Sequence, residues 1–164
     1  MPITVCGLHN VMNHIGAADF VVSINDPGED SPIKNHTVSK VIVNFWDVEI
    51  PSGDDFTKMI FSVKSILRAL DENKLTLDSN IVVHCRAGVS RSSAIAWLIL
   101  IKLGMDYKDA FTLLFKQHSN IWPNTVVLGI GADLMRLPEE FKQFIQQVDV
   151  EIASNHSGYL GYGG

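Results

Sequence analysis

Hydrophobic and polar positions follow two periods along this chain. Short runs rich in β-branched and aromatic residues, Pro2 to Cys6, Phe20 to Ile24, Lys40 to Trp46 and Ile81 to Val83, predict four strands. The second run is closed by the turn residues Asn25-Asp26-Pro27-Gly28, and Leu8 to Ile15 is an amphipathic segment. The stretches Glu29 to Ser39, with Pro32, and Asp47 to Gly53, with Pro51, read as loops. Elsewhere the spacing is helical. Phe56, Ile60, Val63, Ile66, Leu67 and Leu70 form an i, i+3, i+4 stripe, on a helix that begins at Asp54 or Asp55 with an acidic N-cap. Ser93 to Ile101 is apolar all round and predicts a buried helix, which Gly104 terminates. Three more helical patterns follow. The first starts near Asp106 and carries Ala110, Phe111, Leu114 and Phe115. The next follows Pro123-Asn124 and carries Val126, Val127, Ile130, Leu134 and Met135, and Pro138 opens the last, with Phe141, Phe144, Ile145 and Val148. Gly129-Ile130-Gly131 lacks a third glycine and a preceding strand, so it predicts close helix packing.

Strands early and helices late predict an α/β fold in one domain, residues 1–153. The expected architecture is a central, mostly parallel sheet flanked by helices on both faces, with its functional loop at the carboxyl ends of the strands. The segment 154–164 is Gly-rich and is expected to be a flexible tail. Composition agrees with a globular chain, at 46% hydrophobic and 19% charged over 164 residues. A net charge of −5 argues against a nucleic-acid or anionic-membrane partner. The longest apolar run stops at Lys102, too short for a membrane span, and no secretory signal is visible at the start. Two cysteines, Cys6 and Cys85, make no disulfide framework, so a cytoplasmic location is expected.

The chemistry concentrates in His84-Cys85-Arg86-Ala87-Gly88-Val89-Ser90-Arg91-Ser92. A predicted strand enters this segment and a predicted helix leaves it. The five residues between Cys85 and Arg91 are enough to wrap a loop around an oxyanion. Backbone N–H groups of such a loop converge, and the dipole of the helix that follows adds positive potential. A thiol placed there is favoured as the thiolate, the nucleophilic form. Arg91 supplies a planar fork of donors that matches two phosphoryl oxygens, Gly88 permits close approach and positive φ, and Ala87 leaves the cradle unobstructed. Residues Arg86 to Arg91 are therefore the expected phosphate-binding loop.

The full string HCxAGxSRS closely resembles the dual-specificity branch of the cysteine-dependent protein tyrosine phosphatases, over roughly Val41 to Met135. Asp19 to Gly28 resembles small bacterial members of that group. The resemblance implies that Cys85 forms a phosphocysteine and that the Ser92 hydroxyl helps the thiolate leave. His84 would then be a buried scaffold, Asn124 of the Pro-Asn pair would brace the phosphate loop, and neither metal nor cofactor would be required. It also implies a general acid, an Asp on a loop after the preceding strand. Asp47 leaves the strand end with a Pro four residues later, but it precedes Cys85 by 38 positions, a long interval. Asp54 and Asp55, at 31 and 30, fit the usual interval better, although their context is a helix start.

Rival readings differ in chemistry. Gly88-Val89-Ser90-Arg91-Ser92 nearly forms a G-x-S-x-G elbow, without the final Gly. A phosphate-binding pseudophosphatase would share the loop and lack the acid. No G-x-x-x-x-G-K-[ST] occurs, and His9, His14 and His36 have no metal-ligand spacing. The single extra loop cation, Arg86, favours a phosphoprotein or a simple phosphomonoester over a polyphosphorylated headgroup. Cys6 could pair with oxidised Cys85 only if strand order brings the two together.

Overall fold

A computed structural model describes the backbone of residues 3–163 and the side chains of 3–156; Met1, Pro2 and Gly164 lie outside the described residues. Four strands, β1 (Ile3–Cys6), β2 (Phe20–Asn25), β3 (Lys40–Asn44) and β4 (Ile81–His84), form one parallel sheet in the order β1-β4-β2-β3. Pairings run Ile3 with Ile81, Phe20 with Ile81, and Val21 with Lys40. The four strand runs predicted from the sequence are the four strands observed, although β3 stops at Asn44 and leaves Phe45 and Trp46 to the loop.

Both faces of the sheet are covered, and unequally. Alternate residues Ile3, Val5, Phe20, Val22, Ile24, Ile81 and Val83 enter the main core. Helices α2 (Gly53–Glu72), α3 (Arg91–Lys102), α4 (Tyr107–Gln117), α5 (Thr125–Leu134) and α6 (Glu139–Gly163) supply the rest of that core. Trp97, fully buried on α3, packs edge-on against Phe141 at 5.3 Å and tilted against Phe111 at 4.9 Å. Side chains of this size each stabilise the fold by roughly 1.5–3 kcal/mol through burial, so one α3 residue ties α4 and α6 to the sheet. The opposite face carries Cys6, Val21 and Val82, covered by Val11 and Ile15 and by Ile33 of the 26–39 loop. Val11 and Ile15 lie on the one-turn helix α1 (Val11–His14) and the 3-10 turn after it, so the amphipathic segment is shorter than its pattern predicts.

The helix ends correct one expectation. The N-cap of α2 is Ser52, whose Oγ accepts the Asp55 N–H at 3.2 Å, whereas Asp54 and Asp55 occupy the first turn, where negative charge suits the dipole. Gly131 on α5 has the predicted packing role, since a Cβ there would lie 2.3 Å from Leu98 Cδ1 on α3. Helix α6 continues through Gly163, across most of the 154–164 segment expected as a tail. Among the described residues no helix is long and apolar enough to cross a membrane.

Buried polar groups on the thinly covered face are paired. His84 is fully buried, with Nδ1 3.2 Å from the Cys85 carbonyl and Nε2 2.6 Å from Ser23 Oγ. A carbonyl only accepts, so Nδ1 carries the proton and Nε2 accepts from Ser23. Burial foremost, and then the nearby Arg91 charge, push the His84 pKa below its ordinary 6.5, against the opposing bond to Cys85. His118 Nε2 accepts the Val5 N–H of edge strand β1 at 3.4 Å, and burial followed by the His14 charge pushes its pKa down as well. Both imidazoles are therefore neutral in the fold and take up protons more readily in the unfolded chain. The stability they contribute is whole above about pH 6.5 and is lost as the pH falls through the folded-state values. The melting temperature is expected to drop between pH 7.5 and 5.5, and His118→Gln, which keeps an acceptor for Val5, should flatten part of that slope. A melting temperature constant across this range would contradict the assignment.

Candidate active site

The parallel sheet delivers the ends of all four strands to one edge. There β4 passes into the 85–90 loop and α3 begins at Arg91, so the dipole of α3 points into the loop. Cys85 Sγ accepts the Gly88 N–H at 3.3 Å and lies 3.1 Å from Ser92 Oγ. Gly88 has φ +74°, and a Cβ on it would fall 2.6 Å from the Cys6 carbonyl carbon. No other residue fits, because the loop lies directly on the end of β1. Leu8 N–H donates to the Arg86 carbonyl at 3.0 Å on the same side. Among the described residues, the N–H groups of Arg86, Ala87, Val89 and Ser90 donate to no backbone carbonyl. They are open to an oxyanion.

Arg91 is buried along its length. Its Nη1 donates to the Phe45 carbonyl at 2.7 Å and stands 2.8 Å from Asp26 Oδ1, while its buried Nε has no partner among the described residues. A buried guanidinium N–H without an acceptor costs on the order of 1–3 kcal/mol, a cost that an incoming anion removes. Above the loop is a cleft of about 510 Å³ lined by Asp26, Trp46, Asp47, Cys85, Arg86, Ala87, Val89, Ser90 and Arg91. A cleft of about 580 Å³ opens near the far ends of α2 and α3, beside Lys64, Arg68 and Lys102, and has no thiol, hydroxyl or imidazole in its lining. The chemistry belongs to the first.

Asp47 enters the site from the loop after β3. Its Oδ1 accepts from Ser90 Oγ at 2.8 Å and from Asn124 Nδ2 at 2.9 Å, and its Oδ2 has no hydrogen-bond partner among the described residues. Asn124 also donates to the Val48 carbonyl at 3.0 Å, caps α5 by accepting the Val127 N–H, and gives its own N–H to the Ser90 carbonyl. It therefore ties the Asp47 loop, the 85–90 loop and α5 together. Asp54 and Asp55 are not among the residues lining the cleft.

Two sequence-level ideas lose their footing here. Ser90 bonds Asp47 rather than a histidine, and His84 lies on the other face of the sheet, where its partner is Ser23, so Ser90 has no histidine base. Cys6 does pair across from His84, but register partners share a face. Cys6 belongs to the minor core and Cys85 to the main one, so their side chains point away from each other. A disulfide between them would require the backbone to move. Burial, then the negative charge at Cys85, push the Cys6 thiol up to about 11, which keeps it inert.

Asp26 escaped the sequence reading. Its Oδ1 holds Arg91, and its Oδ2 lies 3.2 Å from Arg86 Nη1, which is also 3.3 Å from Glu29 Oε1. In the sequence it belongs to an Asp-Pro-Gly turn. The available signal was its place directly after a strand of a parallel sheet, at the edge where ligands bind.

A thiol cradled at the end of a parallel strand, with a buried arginine and a carboxylate facing it, defines the cysteine-phosphatase class of site. Comparison with known proteins narrows this: residues 10–129 match the dual specificity phosphatase catalytic domain, and the chain belongs to that family. It is 32% identical over 84 residues to mouse dual specificity protein phosphatase 8, covering 50% of this chain and 12% of that protein. It is 31% identical over 105 residues to human dual specificity protein phosphatase 9, covering 61% of this chain and 27% of that protein. The chain thus spans well under a third of these relatives' lengths. In fold it is similar to human tyrosine phosphatase-like serine/threonine/tyrosine-interacting protein, with a TM-score of 0.57 at 16% identity over 83% of this chain and 92% of that one. It is likewise similar to PTPMT1 in complex with PI(5)P, with a TM-score of 0.55 at 16% identity over 92% and 94%.

Proposed function

We propose that this chain hydrolyses phosphomonoesters of proteins through a phosphocysteine intermediate. The phosphoryl group sits on the open N–H groups of the 85–90 loop, with Arg91 Nε and its neighbouring donor on two oxygens. Cys85 Sγ attacks phosphorus, the bond to the ester oxygen breaks, and Asp47 Oδ2 gives that oxygen its proton. Water then attacks the phosphocysteine and passes a proton back to Asp47. Sulfur leaves as thiolate, stabilised by Ser92 Oγ and the Gly88 N–H. Val89 and Ser90 shape the loop, and Ser90 with Asn124 keeps Asp47 over it. His84 supports the loop from the far side of the sheet. The observation that carries this reading is the buried Arg91 Nε, without a partner among the described residues, on a residue that lines one cleft with Cys85 and Asp47.

Substrate class follows from two walls. Trp46, 45% exposed, lines the cleft and offers an aromatic face to a phosphotyrosine ring. Arg86, the cation that could have read a second phosphate, is already paired with Asp26 and Glu29. A monophosphorylated side chain therefore fits better than a phosphoinositide, and a cleft of about 510 Å³ leaves room for phosphoserine and phosphothreonine as well. A reducing, cytoplasmic setting suits the thiolate.

Phosphate release from a panel of phosphotyrosine, phosphoserine and phosphothreonine peptides, with and without EDTA, tests the reading. Turnover of all three, fastest for phosphotyrosine, unchanged by EDTA and blocked by vanadate, is the expected result. Turnover confined to phosphotyrosine would remove the dual specificity, and loss of activity in EDTA would remove the mechanism.

A further inference from the structure

A cradle of N–H groups binds an anion only if its peptide planes are turned inward, and each plane is turned by whatever holds its carbonyl. In a trans peptide the C=O of one residue and the N–H of the next point in opposite directions. Trp122, on the segment between α4 and α5, donates its backbone N–H to the Val89 carbonyl at 3.0 Å. The Ser90 N–H, on the opposite side of that peptide plane, is thereby aimed into the loop. Ser93 Oγ also donates to the Val89 carbonyl, but it sits on the first turn of α3 and moves with the loop. Trp122 instead ties the loop to the C-terminal helix. Its indole Nε1 donates to Asp149 Oδ1 of α6 at 2.8 Å, and its ring lies flat on His156, with centroids 4.8 Å apart and planes 9° from parallel.

We propose that Trp122 is a positioning residue for the phosphate cradle, and that Asp149 and His156 of α6 hold it in place. The connection runs from α6 through the indole to the Trp122 N–H, the Val89–Ser90 peptide and the bound oxyanion. The last helix of the fold therefore sets how well the site grips a phosphoryl group, although none of its described residues lines the cleft. The role rests on the phosphatase reading of the site, but it concerns oxyanion binding and is read without turnover. Trp122→Phe deletes the indole donor and keeps an aromatic ring for His156. Asp149→Ala deletes the acceptor together with a negative charge, whereas Asp149→Asn deletes the charge and keeps an oxygen for Nε1. Losing a negative charge by itself favours an anion, so weaker binding by Asp149→Ala reports lost positioning.

Calorimetric titration with orthovanadate, run on the wild type, Trp122→Phe, Asp149→Ala, Asp149→Asn, the Trp122→Phe/Asp149→Ala double variant and Phe141→Leu, tests the connection. The amide nitrogen-15 resonance of Ser90, which belongs to the peptide group that Trp122 holds, is followed in the same proteins. Melting curves confirm that each is folded. Trp122→Phe and Asp149→Ala are each expected to weaken vanadate binding by about 3- to 10-fold, the range of one hydrogen bond, and to shift the Ser90 resonance in the same sense. Asp149→Asn is expected to stay within about twofold of the wild type, since an acceptor survives. The double variant is expected to bind no more weakly than the weaker single variant, because both act through one bond. Phe141→Leu loosens the start of α6 against Trp97 and Tyr107, and is expected to lower the melting temperature while affinity and resonance stay unchanged. Unchanged affinity in Trp122→Phe and Asp149→Ala, multiplicative losses in the double variant, or an equal loss in Phe141→Leu overturns the proposal. Should Trp122→Phe not fold, Asp149→Ala against Asp149→Asn decides under the same criteria. A wild type that binds no vanadate removes this role and the phosphatase reading together. One that binds vanadate and turns over no phosphopeptide removes the phosphatase reading alone, and these comparisons still decide the role of Trp122.

Discussion

Cys85→Ser is expected to lower phosphate release by at least about four orders of magnitude while phosphopeptide binding persists. A serine hydroxyl in this position has no base to take its proton. His84 points to the other face of the sheet and uses both nitrogens, on Ser23 and on the Cys85 carbonyl. The cradle of N–H groups and Arg91 remain intact in the variant, so substrate should still bind. Steady-state phosphate release, together with a pull-down on immobilised phosphotyrosine peptide, measures both sides. A Cys85→Ser protein with a tenth of wild-type turnover would be incompatible with a phosphocysteine.

Asp47→Asn is expected to reduce kcat by about 10²- to 10⁴-fold on phosphoserine and phosphotyrosine peptides, the usual worth of a placed acid. The amide keeps an oxygen for Ser90 and Asn124, so the loop should hold its position and KM should change little. The loss should be smaller on p-nitrophenyl phosphate, whose leaving group departs without a proton. That dependence on the leaving group distinguishes an acid from a structural carboxylate. Asp54→Asn and Asp55→Asn, in the first turn of α2 and outside the cleft, should stay within about twofold of wild type. Equal losses at Asp47 on both substrate types, or a large loss at Asp54 or Asp55, would move the acid elsewhere.

Much of this was readable in the chain because local signals agreed. The runs at 20–24 and 81–83 alternate or fill as buried parallel strands must, and the stripe from Phe56 to Leu70 has one helical period. The nine residues from His84 to Ser92 carry their own geometry, since Gly88 and the helix start fix the loop. Boundaries were less legible. Phe45 and Trp46 have strand propensity, yet the strand ends at Asn44 because its neighbour β2 runs out at Asn25. Ser52 rather than an acid caps α2, a competition between adjacent good caps that spacing alone does not settle. Asp26 was illegible because its role arises between segments far apart in sequence. A turn composition explains an Asp before Pro-Gly, and only the sheet order β4-β2 sets that Asp beside Arg91. The opposed faces of Cys6 and Cys85 likewise follow from register.

That same sheet order bears on how the protein is made. Strand β1 leaves the ribosome first, yet its partner in the sheet is β4, with Ile3 against Ile81. Until the chain has grown past that point, the earliest strand has nothing to pair with, and such long-range closures are slow. The cradle that rests on Cys6 and Gly7 therefore cannot form until β4 has been made, when the four strands of the sheet are all available.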